Sequence, residues 1–221
     1  ATPLRRHVGE HGLQAGVEEA FLPGKMAGLI AGTMLGSRAM GLAGAYAIYS
    51  LGSTAAYDAK IGVLRANGLS QLCFSVFVIG LLVQWLNVFP TFYKGKIMDF
   101  AAGNLRANMF VYRVNHPESS KMSPYVVLEE EGGVGQYNRA NRSMSHFVEN
   151  SAGTMLSVLL AGYVFPSPVL VLVSVYALAR TAHQLGYAEG GFGYHAPGFL
   201  LQLASSLVIE MLVFLAACKS A

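Results

Sequence analysis

Arg142, His146 and Glu149 stand four and three residues apart, and Asn138 lies four residues upstream. At 3.6 residues per turn all four fall on one helical face, flanked by Asn150. Arg180, His183 and Tyr187 repeat the pattern at three and four residues, with Gln184 beside His183. The two stripes bring two guanidinium groups, a carboxylate, two imidazoles and a phenol. An arginine fork takes a carboxylate in two hydrogen bonds. A glutamate accepts an ammonium, and tyrosine or histidine can hold a thiol. Such a set suits a small anionic, peptide-like ligand. The same residues suit a structural role as well, with Arg142, Glu149 and Arg180 in ion pairs that staple helices together. The histidines have no supporting carboxylate at a metal-ligand spacing, so no metal is expected.

The elements that position these stripes are apolar. No Asp, Glu, Lys or Arg occurs between Arg38 and Asp58, Arg65 and Lys94, Glu149 and Arg180, or Glu189 and Glu210. A membrane-crossing helix needs about 20 mostly apolar residues. The expected helices are Ala39–Tyr57, Leu69–Phe89, a stretch from near Asn138 to Tyr163, Val169–Tyr187, and Gly198–Cys218 with Glu210 inside it. Trp85, Phe89, Phe92 and Tyr93 suit an interfacial belt, and Pro90 is expected to kink or end its helix. The Lys94–Arg142 connection is rich in Lys and Arg and belongs on the cytoplasmic side or its organellar equivalent. Phe165-Pro166-Ser167-Pro168 reads as an uncharged tight turn on the opposite face, and Glu189–Pro197 as a loop back on the basic side. This topology puts the start of one polar stripe and the end of the other at the same membrane face. Upstream, Gly24, Gly28, Gly32 and Gly36 form a ridge that lets helices approach closely in lipid.

Composition agrees with a membrane protein. Of 221 residues 53% are hydrophobic and only 12% charged, half the usual share for a soluble domain. That excludes a disordered chain, collagen, and a nucleic-acid binder with a basic face; the net charge is only +3. Cys73 and Cys218 sit in apolar surroundings, with neither metal spacing nor a disulfide framework. The start on Ala1 fits a processed import product or a truncated chain.

The stretch Tyr137-Asn138-Arg139-Ala140-Asn141-Arg142-Ser143-Met144-Ser145-His146-Phe147-Val148-Glu149-Asn150 resembles the second-helix motif of the MAPEG family, the membrane-associated proteins in eicosanoid and glutathione metabolism. Asn115-His116-Pro117-Glu118 is similar to a loop sequence of some members. Pro166, Ala179-Arg180 and Gly186-Tyr187 resemble the third helix. The resemblance covers roughly Leu69 to Cys218. It implies an all-α integral membrane protein: an antiparallel four-helix bundle over residues 66–221 that forms a homotrimer. An extra Gly/Ala-rich helix region (26–65) and a polar arm (1–25) precede it. It implies glutathione as co-substrate, held by Arg142, His146, Glu149, Arg180, His183 and Tyr187. His146 stands where the family usually has asparagine, and Met144 where histidine or glutamine is common. The thiol-activating arginine of the leukotriene synthase branch falls at Tyr194, beside His195, so these two are the candidates to assist the thiol.

Two functions follow. One is a membrane glutathione transferase or peroxidase acting on lipophilic electrophiles that enter from lipid. The other is a non-catalytic accessory subunit of a large respiratory or photosynthetic assembly, suggested by the extra helix and the altered thiol position. Either protein lies in an endomembrane or an organellar inner membrane, mitochondrial or plastid, with no nucleic-acid partner. A proton path through Glu210 is a third, weaker option.

Overall fold

A computed structural model describes residues 23–97, 109–116 and 123–220. The helices are α1 (Pro23–Leu51), α2 (Thr54–Ala66), α3 (Ser70–Ile97), α4 (Gly132–Val164), α5 (Pro166–Gly190) and α6 (Ala196–Ser220). Strands β1 (Tyr112–Asn115) and β2 (Tyr125–Leu128) pair antiparallel between α3 and α4. This hairpin is an addition to the expected all-α fold. The chain divides into two units, residues 1–48 and 49–221. The first is described only as the α1 helix through Ile48. Most of the expected polar arm lies outside the described residues, as do Pro117 and Glu118 of the loop sequence.

The single span expected over Ala39–Tyr57 is divided. α1 stops at Leu51, and α2 begins after Gly52 and Ser53. The break is held locally: Tyr49 donates its hydroxyl to Asp58 at 2.7 Å, and Thr54 Oγ1 donates to the Tyr49 carbonyl at 3.2 Å. α2 ends in a glycine-capped turn. Leu69 N–H bonds back to the Leu64 carbonyl and Gly68 N–H to that of Arg65, with Gly68 at φ +68°. That is the Schellman geometry, which requires the left-handed conformation glycine reaches without strain.

Four helices form the bundle. α4 and α5 pack against each other and against both α3 and α6. The core joins Ile79, Leu82 and Leu86 of α3 to Val158, Val173 and Ile209 of the other three. Three described helices are long and apolar enough to cross a membrane: Ser70–Gly95 of α3, then α5 and α6. α4, 33 residues long, is not among them; it buries the polar side chains of Asn138, Asn141 and Ser143 against its neighbours. Polar groups in a membrane bundle face inward in this way.

α3 continues through Pro90 to Ile97 instead of ending there. Proline removes one N–H from the ladder, but the next turn is anchored. Phe89 and Tyr93 are buried with Tyr137, Ala140 and Ala188, and Tyr93 donates to Glu189 Oε1 at 2.6 Å. The expected four-residue turn at Phe165–Pro168 narrows to Phe165 alone. Pro166 already sits in the first turn of α5, where its missing N–H has no partner to lose. α4 starts six residues before Asn138; in this added stretch Gln136 donates to Glu189 and Gly133 lies against Ile97.

Candidate functional site

The sequence put the start of α4 and the end of α5 at one membrane face, and side chains tie these ends together. Arg139 donates through Nε to the Ala188 carbonyl at 3.1 Å and through Nη1 to the Glu130 carbonyl at 2.8 Å. Gln136 donates to Glu189 Oε2 at 2.9 Å. Tyr187 therefore sits in the last turn of α5, which α4 holds through Ala188 and Glu189.

Asn138 serves the hairpin instead of the ligand face. Its side-chain amide donates to the Val111 and Glu129 carbonyls at 2.8 and 2.7 Å and accepts from Val111 N–H at 2.9 Å. Asn141 holds the Met109 carbonyl at 3.0 Å. Both amides are buried, so the strand flanks are fastened to α4 by bonds that water does not contest.

Below them, a cavity of about 200 Å³ is lined by Arg142, His146, His183, Tyr187, His195 and Phe199, with Ser143 and Phe192 completing the wall. The His183 ring lies 5.8 Å from His146 and 5.1 Å from His195, centroid to centroid, and the Tyr187 ring 5.2 Å from His195. Phe199 touches all three imidazoles at 5.7 to 6.2 Å. These rings come from α4, α5 and the turn into α6. α6 can bring Phe199 this close because Gly198 meets α5 backbone to backbone: a Cβ there would fall 2.4 Å from His183 N and 2.7 Å from the Ala179 carbonyl oxygen.

Of the expected binding residues, Arg142, His146, His183 and Tyr187 line this cavity. Arg142 Nη1 pairs with Glu149 Oε1 at 2.9 Å across two turns of α4, both side chains about half exposed (50% and 54%). Arg180 lies apart from that pair. It is 1% exposed, with Nη2 donating to the Ser143 carbonyl and hydroxyl oxygens and its guanidinium carbon 5.7 Å from the Phe147 ring centre. A three-residue ion-pair staple of Arg142, Glu149 and Arg180 is therefore not formed. Arg180 and Glu149 line a second, larger cavity of about 490 Å³, which shares His146 and Phe199 with the first.

The two candidates for thiol assistance separate. His195 lines the cavity, with Nδ1 3.4 Å from the Gly191 carbonyl oxygen. Tyr194 is 75% exposed, lines neither cavity, and rests its ring on Gly190. Phe192, Phe199 and Gln202 escaped the sequence reading. They sit in apolar or loop context: Phe192 reaches His195 from the loop between α5 and α6, and the crossing at Gly198 brings Phe199 and Gln202 in beside α5. Among the described residues no group of three His, Cys, Asp or Glu is placed to hold a metal ion.

A family model described as the MAPEG family matches residues 72–218, two thirds of the chain. The chain belongs to the MAPEG family. The match begins at the third residue of α3 and ends within the last turn of α6, so it takes in the hairpin and the whole four-helix bundle. α1 and α2 lie outside it. MAPEG membership, with the three apolar helices, makes this an integral membrane protein of the glutathione-transferase-like kind. No curated protein and no solved structure matches the chain.

Proposed function

We propose that this MAPEG protein binds glutathione in the histidine-lined cavity and presents its thiol to a lipophilic electrophile arriving from the membrane. The observation that carries this reading is the convergence of Arg142, His146, His183, Tyr187 and His195 on one small cavity at the end of the bundle where Arg139 joins α4 to α5. The donor set fits the ligand. Arg142 supplies the fork for a carboxylate, while Glu149, which pairs with it at 2.9 Å, lines the adjoining larger cavity. Glutathione brings the thiol whose thiolate is the nucleophile. Arg180 stands behind Ser143 as a fixed positive charge near the cavity floor. In this reading His195, which lines the cavity, takes a hydrogen bond from the thiol or gives one to the thiolate, a role that the 75% exposed Tyr194 does not share. The test is conjugation of glutathione to a lipophilic aryl halide by the detergent-solubilised protein. His195→Gln should lower kcat with little change in KM for glutathione, and Arg142→Gln should raise that KM. Wild-type protein that turns over no faster than free glutathione would refute the catalytic reading.

α1 and α2 favour a second reading, an accessory subunit of a larger organellar assembly. They lie outside the family match, no residue of α2 is buried, and Leu35, Met40, Leu42, Ile48 and Val63 are exposed. Particle mass in a mild detergent separates the two. Three chains of 23.6 kDa give about 71 kDa for the closed trimer the family suggests. A single copy inside a much larger particle would support the accessory role.

A further inference from the structure

A third cavity, also about 200 Å³, lies beside the histidine-lined one, between the end of β2, the first turns of α4 and the turn after α5. Arg142, Tyr187 and Phe192 line both. Each alone is smaller than the roughly 300–1,000 Å³ usual for a small-ligand pocket, and the two together reach that range. The outer chamber carries both signs of charge: Arg139 and Arg142 on α4, Glu129 and Glu130 just after β2. Two of these groups are fixed in place by the fold. Arg139 holds the Ala188 and Glu130 carbonyls through Nε and Nη1, and Gly191, at φ +74°, rests against its side chain. Glu129 Oε1 accepts the Glu130 and Glu131 N–H groups at 2.9 and 3.0 Å. A plain anion would meet two carboxylates here, and a plain cation two guanidiniums. A zwitterion with its carboxylate and ammonium on one carbon satisfies both.

We propose that this outer chamber seats the γ-glutamyl head of the thiol co-substrate, so that the protein accepts γ-glutamyl thiols as a class, γ-glutamylcysteine included, and does not select for a terminal glycine. The proposal rests on the glutathione reading and deepens it. In glutathione one carbon of the γ-glutamyl unit carries both an ammonium and a carboxylate, and the thiol belongs to the next residue. With the ammonium at Glu129 and Glu130 and the carboxylate on Arg142, the cysteine side chain passes the shared wall at Tyr187 into the cavity that His195 lines. The glycine carboxylate then finds no fork of its own. Among the described residues, Arg142 alone brings a permanent positive charge to the histidine-lined cavity, and the γ-glutamyl head already engages it.

The experiment is calorimetric titration of the full chain in detergent with glutathione and three relatives. γ-Glutamylcysteine should bind within about threefold of glutathione. Cysteinylglycine, which lacks the head, and glutaryl-cysteinylglycine, which lacks only the ammonium, should each bind about tenfold more weakly or worse. Glu130→Gln, at an exposed position, should weaken glutathione about tenfold yet leave glutaryl-cysteinylglycine no weaker than in wild type. A merely structural change at Glu130 would weaken both ligands alike. Cysteinylglycine as tight as glutathione, γ-glutamylcysteine weaker by about tenfold, or unchanged glutathione affinity in Glu130→Gln would overturn the proposal while glutathione still binds. Absence of saturable glutathione binding is the separate result that brings down the thiol-site reading, and this proposal with it.

Discussion

Gly198→Ala is the sharpest mechanical test of how the bundle shapes its cavity. The added methyl would sit 2.4 Å from His183 N and 2.7 Å from the Ala179 carbonyl oxygen, where ordinary contact begins near 3.4 Å. Both obstacles are helix backbone, which cannot rotate away like a side chain. α5 and α6 must therefore part by about 1 Å at this crossing, the scale at which close-packed interiors register a single methylene. Overpacking of this kind costs about 1–3 kcal/mol. For a chain of this size that lowers Tm by roughly 2–12 °C. His183 and Phe199 flank the crossing, so the cavity loses its shape in the same step, and glutathione affinity should fall together with stability. The assay is thermal unfolding in detergent, paired with a glutathione titration. Gly153→Ala is the control, because nothing lies within 4 Å of that position. A Gly198→Ala protein as stable as wild type, with unchanged glutathione affinity, would refute the close crossing and its role in placing Phe199.

Other substitutions separate function from scaffold. Arg142→Gln should weaken glutathione binding about tenfold or more while leaving Tm nearly unchanged. A half-exposed ion pair contributes only about 0–1 kcal/mol, whereas a lost fork on a ligand carboxylate costs about 1.5–3 kcal/mol. Tyr93→Phe removes the bond to Glu189 and should cost about 1.5–3 kcal/mol of stability, read from thermal unfolding. Asn138→Ala removes three hydrogen bonds to the hairpin flanks, at about 0.5–1.5 kcal/mol each. Limited proteolysis should then cut within residues 109–116 sooner than in wild type. Tyr194→Phe should leave glutathione turnover unchanged where His195→Gln reduces it, since only His195 lines the cavity.

Much of the bundle was legible because membrane helices announce themselves by what they lack. The charge-free runs put α3, α5 and α6 where they are, within a few residues except where tertiary contacts extend a helix. Pro90 does not end α3, because its cost is local while the burial of Phe89 and Tyr93 is not. The spacing of Arg142, His146 and Glu149 marked the face of α4 that lines the two cavities, and Arg180, His183 and Tyr187 that of α5. Spacing alone does not say how deep each side chain lies. It grouped Arg180 with Arg142, although one is sealed behind Ser143 and the other stands half in solvent beside Glu149. Asn138 sits on the polar face, but its partner is hairpin backbone 27 residues away, and no periodicity reports that. The ring of Phe199 and the amide of Gln202 needed the Gly198 crossing to become part of a site.

Calorimetric titration of the purified protein with glutathione, beside Arg142→Gln and His183→Ala, bears most directly on the central claim. The histidine-lined cavity predicts saturable binding in wild type, weakened about tenfold or more in both variants, with Arg142→Gln melting at the wild-type temperature. Absence of saturable binding in wild type, or equal affinity in Arg142→Gln, would contradict it.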